Sequence, residues 1–180
     1  MSQEAAFKAL VDLAKLSQKN AKALPAPVEA SPRWSGIGFS LLGCRMVAPL
    51  GQVAEMLEVP PHTRLPGVQP WTIGLANVRG RLLPLIDMPQ FLGGKVSAQK
   101  KQNRVLVVDI DNYLCGLIVD QAYGMQHFTK EGYKADVNNI PSMLEGLVKG
   151  SYSDAAGNEW AVMNIPSLVQ NPRFANAALA

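Results

Sequence analysis

The sequence predicts a mainly β protein made of two small barrels packed together and preceded by one helix. Three observations lead to that fold class. Short runs with β character recur through most of the chain, each closed by Gly, Asn, Asp or Pro. One strand-into-helix unit occurs twice. A length of 180 residues, 48% of them hydrophobic and 17% charged, suits one good-sized core or two small ones that share it.

Residues 3–24 read as a helix. Phe7, Leu10, Val11 and Ala14 fall at helical spacing, Leu13 and Leu16 widen the stripe, and Lys8, Lys15, Lys19 and Lys22 lie mostly off it. Pro25 and Pro27 end the pattern, and the chain to residue 33 reads as a Pro/Ala/Ser linker. A terminal amphipathic helix can pack on the body or dock on a partner, and both stay open.

The body spans residues 34–174, with 175–180 as a tail. Its β-type runs are Ile37–Leu42, Arg45–Leu50, Trp71–Val78, Leu82–Ile86, Val105–Ile110, Tyr113–Val119 and Trp160–Ile165. Gly43 and the pair Asp111-Asn112 mark the tight turns of two hairpins. The repeat is visible in Leu85-Ile86-Asp87-Met88-Pro89 and Val162-Met163-Asn164-Ile165-Pro166. In both, a strand meets Asp or Asn, which caps a helix, and then Pro, which tolerates the first helical turn. Gly74-Leu75 and Gly146-Leu147 precede the two copies at matching places. Two units, each too small to bury a core alone, imply two barrels in contact.

Charge and motif content exclude several functions. The net charge is +3, and residues 1–33 hold five basic and three acidic side chains, so the body is nearly neutral. Phosphate-backbone binding needs a denser basic face. Lys95, Lys100, Lys101 and Arg104 form a basic run that lacks aromatic platforms, which fits a solvated connector. No GxxxxGK[ST] loop is present, and Gly36-Ile37-Gly38 leads into a strand. His62 and His127 have no nucleophile signature or orienting carboxylate beside them, and two histidines do not make a zinc site. Val105 to Asp111 resembles the first strand of a phosphoacceptor receiver, but the residues that follow read as hairpins. Cys44 and Cys115 read as buried free thiols of a reducing compartment. No cofactor is expected. Charged residues break any export signal, and the longest apolar run, Tyr113–Val119, is too short to span a bilayer, so a cytoplasmic protein without membrane insertion is expected.

One stretch is more specific than the rest: Gly74-Leu75-Ala76-Asn77-Val78-Arg79-Gly80-Arg81-Leu82-Leu83-Pro84-Leu85-Ile86-Asp87-Met88. It resembles the G-x-x-N-x-R-G-x-x-x-P-x-x-D-[LM] signature of the CheW family of chemosensory coupling proteins. Arg45–Leu50 followed by Val53-Ala54-Glu55-Met56-Leu57, and Cys115-Gly116-Leu117-Ile118-Val119-Asp120, resemble two flanking family passages in the same order and spacing. The likeness covers about residues 36–170. Trp34–Phe39, Leu65–Val68 and Trp71 are similar to the CheW-like adaptors of type IV pilus twitching-motility systems.

The resemblance implies two intertwined five-stranded β-barrels and a non-enzymatic adaptor. Its partners would be the regulatory domain of a CheA-type histidine kinase and the cytoplasmic tip of a methyl-accepting chemoreceptor. Carried over residue by residue, receptor contacts fall on Glu55, Asn77, Arg79, Gly80, Val105, Val119, Ala122 and Met125, and kinase contacts on Leu50, Val53 and Met56. Ala122 stands where relatives carry a larger aliphatic residue. Gly80 suits a turn needing positive φ and would hold Arg79 at a barrel rim, with Glu55 as the acidic partner. Each apolar position in this set also fits a plain core role. The alternative from another class is an OB-like barrel that binds nucleic acid.

Overall fold

The computed structural model describes residues 3–20, 33–94, 100–110, 113–137 and 140–178. Helix α1 (Gln3–Asn20) forms on the predicted stripe and carries Phe7, Leu10, Leu13 and Leu16 exposed along its length. Residues 21–24 of the predicted helix, the Pro-rich linker up to residue 32, Lys95 and the Asp111-Asn112 turn lie outside the described residues. The remaining chain clusters as one unit, separate from the N-terminal one.

In that unit the first half gives β1 (Arg33–Leu41), β2 (Cys44–Pro49), β3 (Val53–Glu58), β4 (His62–Thr63), β5 (Thr72–Val78), β6 (Arg81–Asp87) and α2 (Met88–Phe91). The second half gives β7 (Arg104–Ile110), β8 (Tyr113–Val119), β9 (Gln121–Thr129), β10 (Tyr133–Lys134), β11 (Val148–Ser153), β12 (Glu159–Met163), α3 (Ile165–Val169) and α4 (Pro172–Ala175). They form two sheets of six strands, ordered β10-β11-β12-β2-β1-β9 and β4-β5-β6-β8-β7-β3. Position by position the two orders match, so the weak sequence repeat is a structural one. The halves are exchanged: hairpin β1–β2 sits in the sheet of the second half, and hairpin β7–β8 in the sheet of the first. In each sheet one parallel contact, β12 on β2 or β6 on β8, joins the foreign hairpin to its host.

The repeated strand-into-helix unit works as its residues dictate. Asp87 Oδ1 accepts from Gln90 N at 2.8 Å, and Asn164 Oδ1 from Ser167 N at 3.3 Å, each capping a short helix whose first turn contains Pro. The glycine equivalence is different from the one the sequence suggested. Gly146 lies in a 3-10 turn (Ser142–Leu147), whereas the partner of Gly74 is Gly150. Both sit at a bulge with positive φ, 155° and 145°, against the backbone of the short outer strand, at Thr63 and Lys134 respectively. Four described strands had no run that marked them: β4, β9, β10 and β11. β3 was legible only through the family passage.

Three clusters fill the unit. The largest lies between the sheets and draws Phe39, Met46, Leu106 and Leu117 from the two exchanged hairpins, closed by Met88, Phe91, Ile165 and Phe174 of the short helices. Burying each such side chain stabilises by about 1.5–3 kcal/mol. Within the second sheet, Leu57, Ala76, Leu83, Leu85, Val105, Val107 and Ile118 gather from five strands onto one face. That arrangement is compatible with a rolled, barrel-like sheet. Within the first sheet the filling is aromatic: Trp34, Phe128, Tyr152 and Trp160, with Val47 and Val162. Trp34 stacks on Tyr152 at a centroid distance of 4.6 Å. Space for these rings comes from β1, where a Cβ on Gly38 would lie 2.8 Å from Trp160 and 2.7 Å from Gln126. The 175–180 tail is tied down as far as residue 178, since Ala177 O accepts from Gln69 N at 2.8 Å and Ala178 O from Gln69 Nε2 at 3.0 Å.

Two outcomes follow from this packing. Gly38→Val should destabilise the unit by about 1–3 kcal/mol in urea unfolding, because the rings cannot yield without leaving their stack. An unchanged midpoint would mean that the rings repack freely. The β11–β12 loop adds a titrating contact. Asp154 accepts from Asn158 N (2.8 Å), Asn158 Nδ2 (2.9 Å), Ala156 N (2.9 Å) and Trp160 Nε1 (3.0 Å). Desolvation alone would raise its pKa, but these hydrogen bonds outweigh it and hold the carboxyl at about 2, below the ordinary 3.8. A depressed folded-state pKa contributes stability above the unfolded value, and that contribution is lost as pH falls towards the folded one. Asp154→Asn should therefore lower Tm at neutral pH and flatten the loss of Tm between about pH 4 and pH 2 in thermal circular dichroism.

Candidate docking surface

The signature stretch folds into hairpin β5–β6, where Val78 pairs with Arg81 and only Arg79 and Gly80 make the turn. Their φ values are 51° and 80°, so both central residues are left-handed, as a type I′ turn requires. Asn77 Oδ1 accepts from Gly80 N at 2.9 Å and locks the loop. Glycine takes this conformation freely, whereas arginine strains to hold it, at about 1–2 kcal/mol. The signature thus keeps a large cation where a smaller residue would fold more easily, a pattern that points to use of the side chain.

Arg79 Nη2 meets Glu55 Oε2 at 2.8 Å, the partner expected from the sequence. In the strand order β7 and β8 lie between β3 and the hairpin, so the pair reaches across both of them. Arg81 Nη1 reaches Asp109 Oδ2 at 2.8 Å across β8 in the same way. Glu55, Arg79, Arg81 and Asp109 therefore form a charged rim at one end of the second sheet. The Arg79 side chain is 81% exposed and that of Glu55 27% exposed. At that exposure an ion pair adds about 0–1 kcal/mol, less than the strain of the turn.

Other expected contact residues separate into three groups. Leu50 and Met56 are exposed, the first just before β3 and the second on it, and Leu82 and Tyr113 add exposed apolar surface at the same end. Val53, Val105 and Val119 are buried in the core, the role the sequence also left open for the apolar positions. Val105 fills the second sheet's cluster, while Val53 and Val119 pack between the sheets. Ala122 and Met125 lie on β9, an edge strand of the first sheet, with Met125 exposed. Among the described residues no ion pair joins β9 to the charged rim.

One pairing was invisible in the sequence. β1 and β9 place Ser35 opposite His127, and Ser35 Oγ lies 2.7 Å from His127 Nδ1. The two are 92 residues apart and exposed, so no local spacing signals them. Among the described residues His127 has no carboxylate partner, and no His/Cys/Asp/Glu group is suited to a metal ion. Cys44 is half-buried rather than buried, and burial pushes the Cys115 thiol up to about 12.

Comparison with known proteins agrees with the geometry. Residues 35–173 match the CheW-like domain. The chain belongs to the CheW-like family of chemosensory adaptors. It is 41% identical over 173 residues to Protein PilI of Pseudomonas aeruginosa, covering 96% of each chain. It is 25% identical over 151 residues to Protein FrzA of Myxococcus xanthus, covering 81% of this chain and 91% of that one. The fold is similar to that of the scaffolding protein TtCheW from Thermoanaerobacter tengcongensis, with a TM-score of 0.64 at 20% identity, covering 74% and 90% of the two chains.

Since the hairpin is strained and its ion pair exposed, Arg79→Gly should leave the stability of this CheW-like chain within about 1 kcal/mol of the parent. Urea unfolding checks this. A loss of several kcal/mol would make Arg79 a structural residue.

Proposed function

We propose that this CheW-like chain is a non-enzymatic adaptor between the cytoplasmic tip of methyl-accepting chemoreceptors and the regulatory domain of a CheA-type histidine kinase, serving type IV pilus twitching motility. The observation that carries the reading is the strained Arg79 turn, which presents an exposed guanidinium beside Glu55 among exposed Leu50, Met56 and Leu82. A charged pair beside apolar anchors fits protein docking, where apolar residues supply affinity and charge sets register. The end-to-end likeness to PilI supports the twitching-motility branch.

Receptor contacts then fall on Glu55, Asn77, Arg79 and Gly80, with Ala122 and Met125 of β9, and kinase contacts on Leu50 and Met56. Val53, Val105 and Val119 serve as the packed backing of those surfaces. The adaptor acts in the cytoplasm and joins receptor arrays at the inner membrane through its partners. No described helix is long and apolar enough to cross a membrane.

Co-purification with the receptor fragment and the kinase of the same organism tests the reading. Arg79→Glu should weaken capture of one partner at least about 10-fold, equivalent to about 1.4 kcal/mol, with an unchanged Tm. Undiminished capture of both partners by that variant would remove the rim from the docking surface.

A further inference from the structure

Helix α1 carries the most concentrated exposed apolar surface of the described residues. Phe7, Leu10, Leu13 and Leu16 are 56–70% exposed, and Ala14 is exposed beside them. The helix belongs to a unit of its own, and the exposure of all four large side chains shows that nothing described in that unit covers them. A lone helix of 18 residues is marginal in water, because protein helices draw most of their stability from packing an apolar face. A surface of this kind marks an interaction site.

Geometry narrows the partner. At about 100° per residue, each three-residue step moves the stripe about 60° around the helix, so Phe7 and Leu16 stand on opposite sides with Leu10 and Leu13 between them. A flat bilayer surface, or a single second helix, that covers Leu10 and Leu13 meets Phe7 and Leu16 only at its margin. A groove with walls on both sides covers all four. Charge narrows the partner further. Lys8 and Lys15, both exposed, fall about 20° apart in the sector that the stripe leaves free. Lys19 continues their row by spacing, and Asp12 is the sole acid between Lys8 and Lys19. With the stripe enclosed, this row lies along the mouth of the groove, where lysine stems reach over the walls and the ammonium groups meet the rims.

The helix also stands apart from the coupling domain. The CheW-like match begins at residue 35, beyond α1, whereas the likeness to PilI takes in 173 of the 180 residues and so runs through most of the helix. We propose that α1 docks into an apolar groove, rimmed by carboxylates, on a protein other than this chain. It adds an anchor to those of the body and does not draw on the charged rim of the second sheet, so either surface stands if the other fails.

Calcium-loaded calmodulin, an acidic protein whose apolar groove encloses basic amphipathic helices, is a direct probe of this face. In isothermal titration calorimetry with the full chain it should bind saturably. Leu13→Asp should weaken binding at least about 10-fold. Lys8→Glu combined with Lys15→Glu should also weaken it, and added salt should weaken the parent more than this double variant. The Tm of the body should stay unchanged in all of them, since α1 is a separate unit. In the cell, a photoreactive benzoylphenylalanine in place of Leu13 should cross-link to another protein at a site that mass spectrometry maps to an apolar segment flanked by Asp or Glu. Absence of heat with calmodulin, or heat that none of these substitutions alters, would overturn the proposal. So would co-sedimentation with vesicles of phosphatidylethanolamine and phosphatidylglycerol, a dimer in analytical ultracentrifugation that Leu13→Asp dissolves, or cross-links confined to lipid or to this chain.

Discussion

Two exchanged hairpins hold the body together. β1–β2 and β7–β8 each complete the sheet built by the other half, and the face that each turns inward is the main core, from Phe39 and Met46 on one side to Leu106 and Leu117 on the other. Neither half can make its own sheet without the other's hairpin, so the sheets and the large cluster depend on each other. The short helices follow from the same constraint. α2 and α3 start where β6 and β12 leave their parallel contacts, and their caps turn the chain over the shared core. A break in one parallel ladder would therefore be felt in both sheets.

Within that common frame the contents diverge by compensating volume. Gly38 admits Trp160 in one sheet, while the corresponding β7 position in the other carries Val107. There the glycine is moved to β8, where Gly116 admits Val105 and Leu85. Close packing tolerates such exchanges when total volume is kept. The exchange is complete in the middle of the sheets and fails at one end, where by register Asn103 and Val59 stand in the places of Trp34 and Phe128 and line a cavity of about 660 Å³.

Much of this was legible in the chain. The strand, cap and proline unit at Asp87 and Asn164 announced the repeat, since capping chemistry is local and survives in sequence. Strands buried on one or both faces, such as β7 and β8, stood out as apolar runs. β9 did not, because an edge strand written Gln121-Ala122-Tyr123-Gly124-Met125-Gln126-His127-Phe128 needs no apolar run when a single neighbour, β1, fixes it. The Gly74 equivalence was misplaced for a related reason. What selects glycine at 74 and 150 is the close approach of β4 and β10, a contact between elements that no local pattern records. The Glu55–Arg79 pair was foreseen only because the family passages set the two motifs side by side, and burial of Val105 and Val119 was beyond reach because core and contact valines read alike.

The charged rim and the cavity occupy opposite ends of one set of strands. Between them the second sheet is an aliphatic plug, Leu83, Leu85, Val105, Val107 and Ile118, with no polar atom to adjust. The exposed charged side chains are thus kept away from the layer that secures the fold. At the rim a strained turn holds an exposed cation; at the other end Thr72 Oγ1 and Asn103 Oδ1 are buried with no hydrogen-bond partner among the described residues. Both depart from what folding alone would select, and both lie where departure is tolerated, at the margins of a sheet whose centre is closed. The first sheet, plugged by aromatic rings, shows how the same topology looks when that end is given over to packing.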